Sequence, residues 1–154
     1  MLKLLVYDFD GVMTNNKVYI DEKGKETVEV NRSDGLAISE IKKLKIKQII
    51  LSTEKNPVVK KRAEKLQIPY IQSVDDKKSV LLNYLNSKKI KLDEIGYVGN
   101  DINDLEVMKL VGFKFCPKDS HFSIREISDY IMEANGGDGV IRELLDFLNK
   151  KKEI

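Results

Sequence analysis

The sequence holds only one cysteine and one histidine among its 154 residues. Cys116 alone forms no intramolecular disulfide, and with His121 as the single imidazole it cannot supply a Cys/His zinc cage. A reducing, cytoplasmic setting is therefore expected. An excess of one charge is also missing, since 27 Lys and Arg face 25 Asp and Glu for a formal net charge of +2. A dedicated nucleic-acid binder would carry a strongly basic domain, so that class is not expected. No apolar run approaches the roughly 18 residues of a membrane span, and no charged leader with a cleavage site precedes the first hydrophobic segment. A soluble protein with no nucleic-acid or membrane partner is the expectation. Internal repeats and low-complexity linkers are absent too, and 154 residues suit one domain spanning the chain.

What is present is alternation. Leu2 to Tyr7, Ile46 to Leu51, Ile95 to Val98 and Phe113 to Cys116 are nearly continuous apolar runs, the pattern of strands buried on both faces. Between them, apolar residues recur at helical spacing: Ala37, Ile38, Ile41, Leu44; then Val58, Val59, Ala63, Leu66; then Val80, Leu81, Tyr84, Leu85; then Leu105, Met108, Val111. Asn56 before Pro57 reads as a helix start, and Ser120 as the cap of a short helix near His121 to Glu126. The pattern predicts an α/β fold, a Rossmann-like doubly wound parallel sheet with helices on both faces. One segment breaks it: around residues 17–31 polar and apolar residues alternate about Asp21-Glu22-Lys23-Gly24, which predicts a projecting β-hairpin flap. Gly136-Gly137-Asp138-Gly139 introduces a C-terminal amphipathic helix over about 139–150.

In an open parallel sheet the site lies beyond the carboxyl ends of the strands, so the polar residues ending each apolar run are those that converge. They are Asp8 and Asp10 after the first strand, Ser52 and Thr53 after the second, and Asn100, Asp101 and Asp104 after the run at 95–98. Lys77 or its neighbour Lys78 opens the helix after a short strand at Tyr70-Ile71. Gathered carboxylates repel, and a hard cation such as Mg2+ with oxygen ligands is their natural neutralising partner. A lysine and a hydroxyl beside that cation are what a transferring phosphoryl group requires.

The ordered set Asp8-x-Asp10-Gly11-Val12, Ser52, Lys77 and Gly99-Asn100-Asp101-x-Asn103-Asp104 resembles the four motifs of the haloacid dehalogenase (HAD) superfamily phosphatases, across essentially the whole chain. The flap, the lack of room for a large cap domain, Asn31-Arg32-Ser33-Asp34-Gly35 and the closing Gly-Gly-Asp-Gly resemble one subgroup. These are the phosphatases of 2-keto-3-deoxy sugar acids, acting on 3-deoxy-manno-octulosonate (Kdo) 8-phosphate or on nonulosonate 9-phosphates. The resemblance implies that Asp8 is the nucleophile, forming an aspartyl-phosphate, and that Asp10 is general acid and then general base. It implies Ser52 and Lys77 on the phosphoryl oxygens, and Mg2+ held by Asp8, the Asp10 carbonyl and Asn100. Asp101 is the alternative third ligand, because the family most often places an aspartate at position 100. Asp104 is expected to orient Lys77 or a metal-bound water.

Substrate contacts implied by the subgroup fall on Asn31, Arg32, Asp34, Thr53, Glu54, Arg62 and Lys65, with the basic residues as partners for a carboxylate or hydroxyls. Glu54-Lys55 followed by Asn56-Pro57-Val58-Val59 looks more like the nonulosonate branch than the Kdo branch. A hairpin alone leaves the site open, so the resemblance implies a homotetramer in which a neighbour covers it. Two other classes use similar residues. A phospho-accepting receiver module would place its acceptor aspartate at the end of a later strand, where this chain has Ser52 or Gln72-Ser73. A tetramerisation module associated with an acylneuraminate cytidylyltransferase would be expected to have lost Asp8, Asp10 or Lys77, all of which are present.

Overall fold

The computed structural model describes residues 1–151. In chain order the elements are β1 (Leu4–Tyr7), β2 (Tyr19–Ile20), β3 (Glu26–Thr27), α1 (Arg32–Lys43), β4 (Lys47–Leu51), α2 (Val58–Leu66), β5 (Tyr70–Ile71) and α3 (Lys77–Leu85). They continue with β6 (Ile95–Val98), α4 (Leu105–Met108), β7 (Phe113–Cys116), α5 (Phe122–Ile127), β8 (Tyr130–Ile131) and α6 (Val140–Lys150). Six strands form one parallel sheet in the order β5-β4-β1-β6-β7-β8, with Leu4 opposite Lys47 on one side and Ile95 on the other. This is the doubly wound α/β architecture that the alternation predicts.

Period-two alternation along β1 explains its uninterrupted apolar sequence. Leu5 and Tyr7 face one core with α1, α2 and α6, including Ile38, Val59, Ile141 and Leu144. Leu4 and Val6 face the other, with Leu81 of α3, Met108 of α4 and Ile124 of α5. All four β1 residues are buried, so no position in it tolerates a polar side chain cheaply. The chain winds from β1 outward to β5, then returns to pair β6 against the other edge of β1. The carboxyl ends of β1 and β6 therefore flank the point where strand order reverses, the crevice in which such sheets bind ligands.

Helix boundaries have local causes. The Asn31 side chain accepts the Ser33 N–H at 2.9 Å to start α1, and Asp76 accepts that of Ser79 at 3.2 Å to start α3. Asn56 caps the first turn of α2 through the Val58 N–H, with Pro57 beside it. The cap of α5 differs from the sequence expectation: the His121 ring, not Ser120, accepts the Ser123 N–H. The flap pairs only Tyr19–Ile20 with Glu26–Thr27, closed at the tip by Asp21, whose Oδ1 accepts the Lys23 and Lys25 N–H groups, and joined to the body by a Thr14–Val30 bridge. The final strand, β8, has only two residues and no periodic signal in the sequence.

Helix α6 starts at Gly139, in the left-handed region at φ 95°, and its first amides are capped from far away in the chain. Asp34 Oδ1 accepts the N–H groups of Ile141 and Arg142 at 3.0 and 3.1 Å. A carboxylate at a helix N-terminus meets both its orphan donors and its dipole. Burial nevertheless pushes the Asp34 carboxyl up to about 6, against the pull of those two amides and of Arg62 and Arg142. A raised carboxyl binds its proton more tightly when folded, so this group's contribution to stability falls as pH rises from about 4 through 6.

Candidate active site

β1 delivers Asp8 into the crevice while its backbone N–H still bonds the Val98 carbonyl at 2.9 Å. The chain then turns tightly, with the Met13 N–H on the Phe9 carbonyl at 2.9 Å, and the turn is stitched by Thr14, whose Oγ1 accepts the Gly11 and Asn16 N–H groups. Gly11 sits at φ 80°, and a Cβ there would lie 1.9 Å from the Asn100 side chain, so two independent constraints exclude other residues. From β6, Gly99 is restricted by space alone, because a Cβ would meet Asp104 at 2.7 Å.

Beneath Asp8 lies a buried charge cluster. Lys77 Nζ is 2.9 Å from Asp8 Oδ1 and 2.7 Å from Asp104 Oδ1, with 1% or less of the Lys77 and Asp104 side chains exposed. Asp104 Oδ1 also accepts the Tyr97 hydroxyl at 2.8 Å, while Oδ2 accepts the Asn100 N–H at 2.9 Å. Lys78 is exposed, so the geometry selects Lys77 of the two candidates. Burial and the charge of Asp104 hold the Asp8 carboxyl well above the usual range, against the pull of Lys77. Burial, with Glu54 adding, raises Asp10 as well. Burial by itself would lower the Lys77 ammonium, but the two carboxylates outweigh it and leave it raised.

Above this cluster three oxygens converge. The Asn100 side-chain oxygen lies 2.9 Å from Asp8 Oδ2 and 3.0 Å from the Asp10 carbonyl. Three acceptors at hydrogen-bond range with no hydrogen between them repel, unless a cation lies among them. Adjacent ligands of an octahedral Mg2+, at about 2.1 Å from the metal, are about 3.0 Å apart, so the donor set and its spacing fit that ion. Turned by half a rotation, the amide would instead donate to both oxygens, the arrangement suited to a cation-free protein. Among the described residues no three His, Cys, Asp or Glu side chains form a cage; the fit here rests on one carboxylate, one amide and one peptide carbonyl.

The cleft over these groups has a volume of about 300 Å³ and is lined by Asp8, Asp10, Asn16, Thr53, Asn100, Asp101, Ile102 and Asn103. A profile of the haloacid dehalogenase-like hydrolases matches residues 39–144 of this chain. The chain belongs to the haloacid dehalogenase-like hydrolases. This hydrolase is 30% identical over 148 residues to the Escherichia coli K12 3-deoxy-D-manno-octulosonate 8-phosphate phosphatase KdsC, covering 96% of this chain and 79% of that one. It is 29% identical to N-acylneuraminate cytidylyltransferase A of Danio rerio, matching 99% of its own length but spanning only 36% of that relative. Among solved structures it resembles a HAD family hydrolase from Streptomyces avermitilis, with 40% identity, TM-score 0.92, and coverage of 95% of this chain and 84% of that one. It also resembles the 3-deoxy-D-manno-octulosonate 8-phosphate phosphatase of Moraxella catarrhalis, solved with magnesium, phosphate and KDO, at 30% identity and TM-score 0.91 over 97% of this chain and 86% of that one. The enzyme class is phosphatase.

The remaining expected site residues of this HAD hydrolase are distributed unevenly. Ser52 is buried at the end of β4, its hydroxyl accepting the Glu54 N–H at 3.1 Å. Thr53 and Asp101 line the cleft. Asp101 is also occupied as the cap of the turn at Ile102–Asp104. Glu54 shapes the next loop by accepting the Lys55 and Asn56 N–H groups, and its charge reaches Asp10. Asn31 and Asp34, expected as substrate contacts, cap α1 and α6 through their Oδ1 atoms, and Asp34 is only 2% exposed. Helix starts need acceptors, and these two side chains are the ones in reach. Arg32, Arg62 and Lys65 line a different cavity, of about 360 Å³ against α1 and α2, which shares no lining residue with the cleft.

Sequence reasoning missed Thr14, Asn16, Ile102 and Asn103, although each lies within or beside a motif it used. Thr14 Oγ1 fixes the turn that carries Asp10 by accepting the Gly11 and Asn16 N–H groups. Its position six residues after Asp8 and four after Asp10 was the available signal.

Proposed function

We propose that this phosphatase hydrolyses the phosphate monoester of a 2-keto-3-deoxy sugar acid with Mg2+, a nonulosonate 9-phosphate first and Kdo 8-phosphate next, through an aspartyl-phosphate on Asp8. The observation that carries the chemistry is the convergence of Asp8 Oδ2, the Asp10 carbonyl and the Asn100 side-chain amide, with the buried Lys77 on the other oxygen of Asp8. These three groups would hold Mg2+, which supplies charge neutralisation between a carboxylate and a phosphate dianion.

Asp8 attacks phosphorus as its carboxylate, and the bond from phosphorus to the sugar oxygen breaks. Asp10, two residues on in the turn that Thr14 stitches, gives its proton to that leaving oxygen. A raised carboxyl suits the donor role. The same carboxylate then takes a proton from water as the water attacks phosphorus, which frees Asp8 and releases phosphate. Lys77 and the Ser52 hydroxyl orient and neutralise the phosphoryl oxygens.

Selection of the sugar acid falls to Thr53 and Glu54 near the cleft and to Arg32, Arg62 and Lys65. The three basic residues line a cavity that shares no lining residue with the cleft, and in this reading they meet a substrate held by a neighbouring subunit. A homotetramer would supply that neighbour. The flap supports it, since Val18, Tyr19 and Ile20 are 48%, 76% and 66% exposed. The hairpin stands where a larger cap would be inserted, so the chain acts as a single catalytic domain closed by its neighbours. No helix among the described residues is long and apolar enough to cross a membrane, and a cytoplasmic setting is proposed.

The second reading is a non-catalytic module associated with a cytidylyltransferase, favoured by the relation to the Danio rerio protein. Phosphate release from a nonulosonate 9-phosphate, Kdo 8-phosphate and a generic sugar phosphate, with Mg2+ or with excess chelator, separates the two. At least a tenfold preference in kcat/KM for one keto acid is expected, a difference of about 1.4 kcal/mol in transition-state binding. Chelation should abolish it. No release from any substrate, or release indifferent to chelation, overturns the proposal.

A further inference from the structure

We infer that Tyr97 is a positioning residue for the phosphatase reaction, acting through Asp104 on both Lys77 and Asn100; the inference rests on the function proposed above. Tyr97 stands in the middle of β6 with no exposed surface. Phe would fill that space without bringing a hydroxyl into an apolar core, so the hydroxyl is informative. Its partner is Asp104 Oδ1, at 2.8 Å.

Asp104 is the hinge of the cluster. Its Oδ1 is shared between Tyr97 and Lys77 Nζ, and its Oδ2 between the Asn100 N–H at 2.9 Å and the Asp101 N–H at 3.4 Å. One side of the carboxylate thus sets the lysine that touches Asp8, and the other sets the backbone of the residue whose side chain faces Asp8 and Asp10. The phenol locks the carboxylate plane between these two duties. It also shares the charge on Oδ1, which leaves the ammonium divided between Asp104 and Asp8. Without the phenol, Lys77 is drawn toward Asp104 and away from Asp8 and the phosphoryl group, and the Asn100 backbone loses its fixed acceptor.

In the full-length enzyme, Tyr97→Phe is expected to lower kcat about tenfold, as for partial loss of a hydrogen bond to a charged group, with KM for the sugar phosphate changing less. The Mg2+ concentration for half-maximal rate should rise several-fold. A merely structural tyrosine would lower the melting temperature and leave both readouts of the folded enzyme unmoved. In an Asp104→Asn background, adding Tyr97→Phe should have less than a twofold further effect, because the route is already cut. Values of kcat and Mg2+ requirement within twofold of wild type, or fully multiplicative losses in the double variant, overturn the inference. Wild-type enzyme and Asp8→Asn are run beside it. Absence of Asp8-dependent phosphate release in wild type locates the failure in the proposed function, and the Tyr97 inference falls with it.

Discussion

Asp8→Asn is expected to lose at least about four orders of magnitude in kcat while folding as well as the wild type or better. The loss follows from chemistry, because a carboxamide oxygen cannot form and release an aspartyl-phosphate. The stability follows from charge. Asp8 and Asp104 share a single buried ammonium, and burial already holds the Asp8 carboxyl well above the usual range. A raised carboxyl gives stability at low pH that is lost as pH rises, so its ionised form at neutral pH is a burden on the fold. The amide removes that charge and leaves Lys77 matched one to one with Asp104. Its oxygen can keep the Phe9 N–H and Lys77 as donors, both of which use Oδ1 in the wild type. Its NH2 replaces Oδ2 and keeps a hydrogen bond to the Asn100 amide, now donating to the Asn100 oxygen at 2.9 Å where the wild-type carboxylate accepts from the turned amide. Circular dichroism melts at pH 7 beside phosphate-release assays check both halves; an inactive variant that is also unfolded contradicts the account of the cluster.

Lys77→Met gives the opposite result for stability. Methionine matches the lysine stem in length and is tolerated in cores, so packing is nearly conserved. What disappears is, among the described residues, the only cationic side chain within bonding distance of Asp8 and Asp104, two carboxylates almost without solvent. Removing one partner of a buried ion pair costs about 3–5 kcal/mol, because the charge left behind is neither solvated nor compensated. The cost depends on pH in a definite direction. Without Lys77 the Asp8 carboxyl is pushed higher still above its unfolded value, so the variant recovers stability on acidification and loses it as pH rises through the folded pKa. Denaturant melts at pH 5 and pH 8 should show a larger deficit at pH 8. Activity should be lost at both. A deficit independent of pH would place the lysine's role in packing instead of charge.

These opposite signs come from one feature, a cluster with two buried acids and one base, and most of that feature was legible in the sequence. These residues end apolar runs, and in a parallel sheet the ends of apolar runs converge, which groups Asp8, Asp10, Asn100 and Asp104 from the sequence alone. The strand and helix pattern was legible for the same reason, since strands buried on both faces leave continuous apolar text. What escaped was nonlocal or hidden. Asp34 caps a helix that begins more than a hundred residues later, and a local reading assigns such an acid to a ligand. The Tyr97 hydroxyl lies within an apolar run, where tyrosine reads simply as core. The two-residue β8 is too short for any period, and the His121 cap replaced Ser120 because either residue type can accept one N–H. Arg62 reads as a ligand for an acid, yet its guanidinium donates to the Asn31 carbonyl at 3.0 Å in a cavity of its own. Charge and spacing show what a residue could bind; only the packing of α1 against α2 shows what it faces.

The most direct measurement is to trap the phosphoryl group. Asp10→Asn keeps the nucleophile but removes both the acid for the sugar oxygen and the base that activates water, so the covalent intermediate should accumulate when the variant is mixed with Mg2+ and an aryl phosphate, whose leaving group departs without a proton, and quenched in acid. Mass spectrometry of the digested protein is predicted to find one added phosphoryl group on the peptide carrying Asp8, absent when Asp8→Asn is combined with Asp10→Asn. Phosphoryl transfer to any other residue, or turnover that leaves Asp8 unmodified throughout, would contradict the assignment of this site.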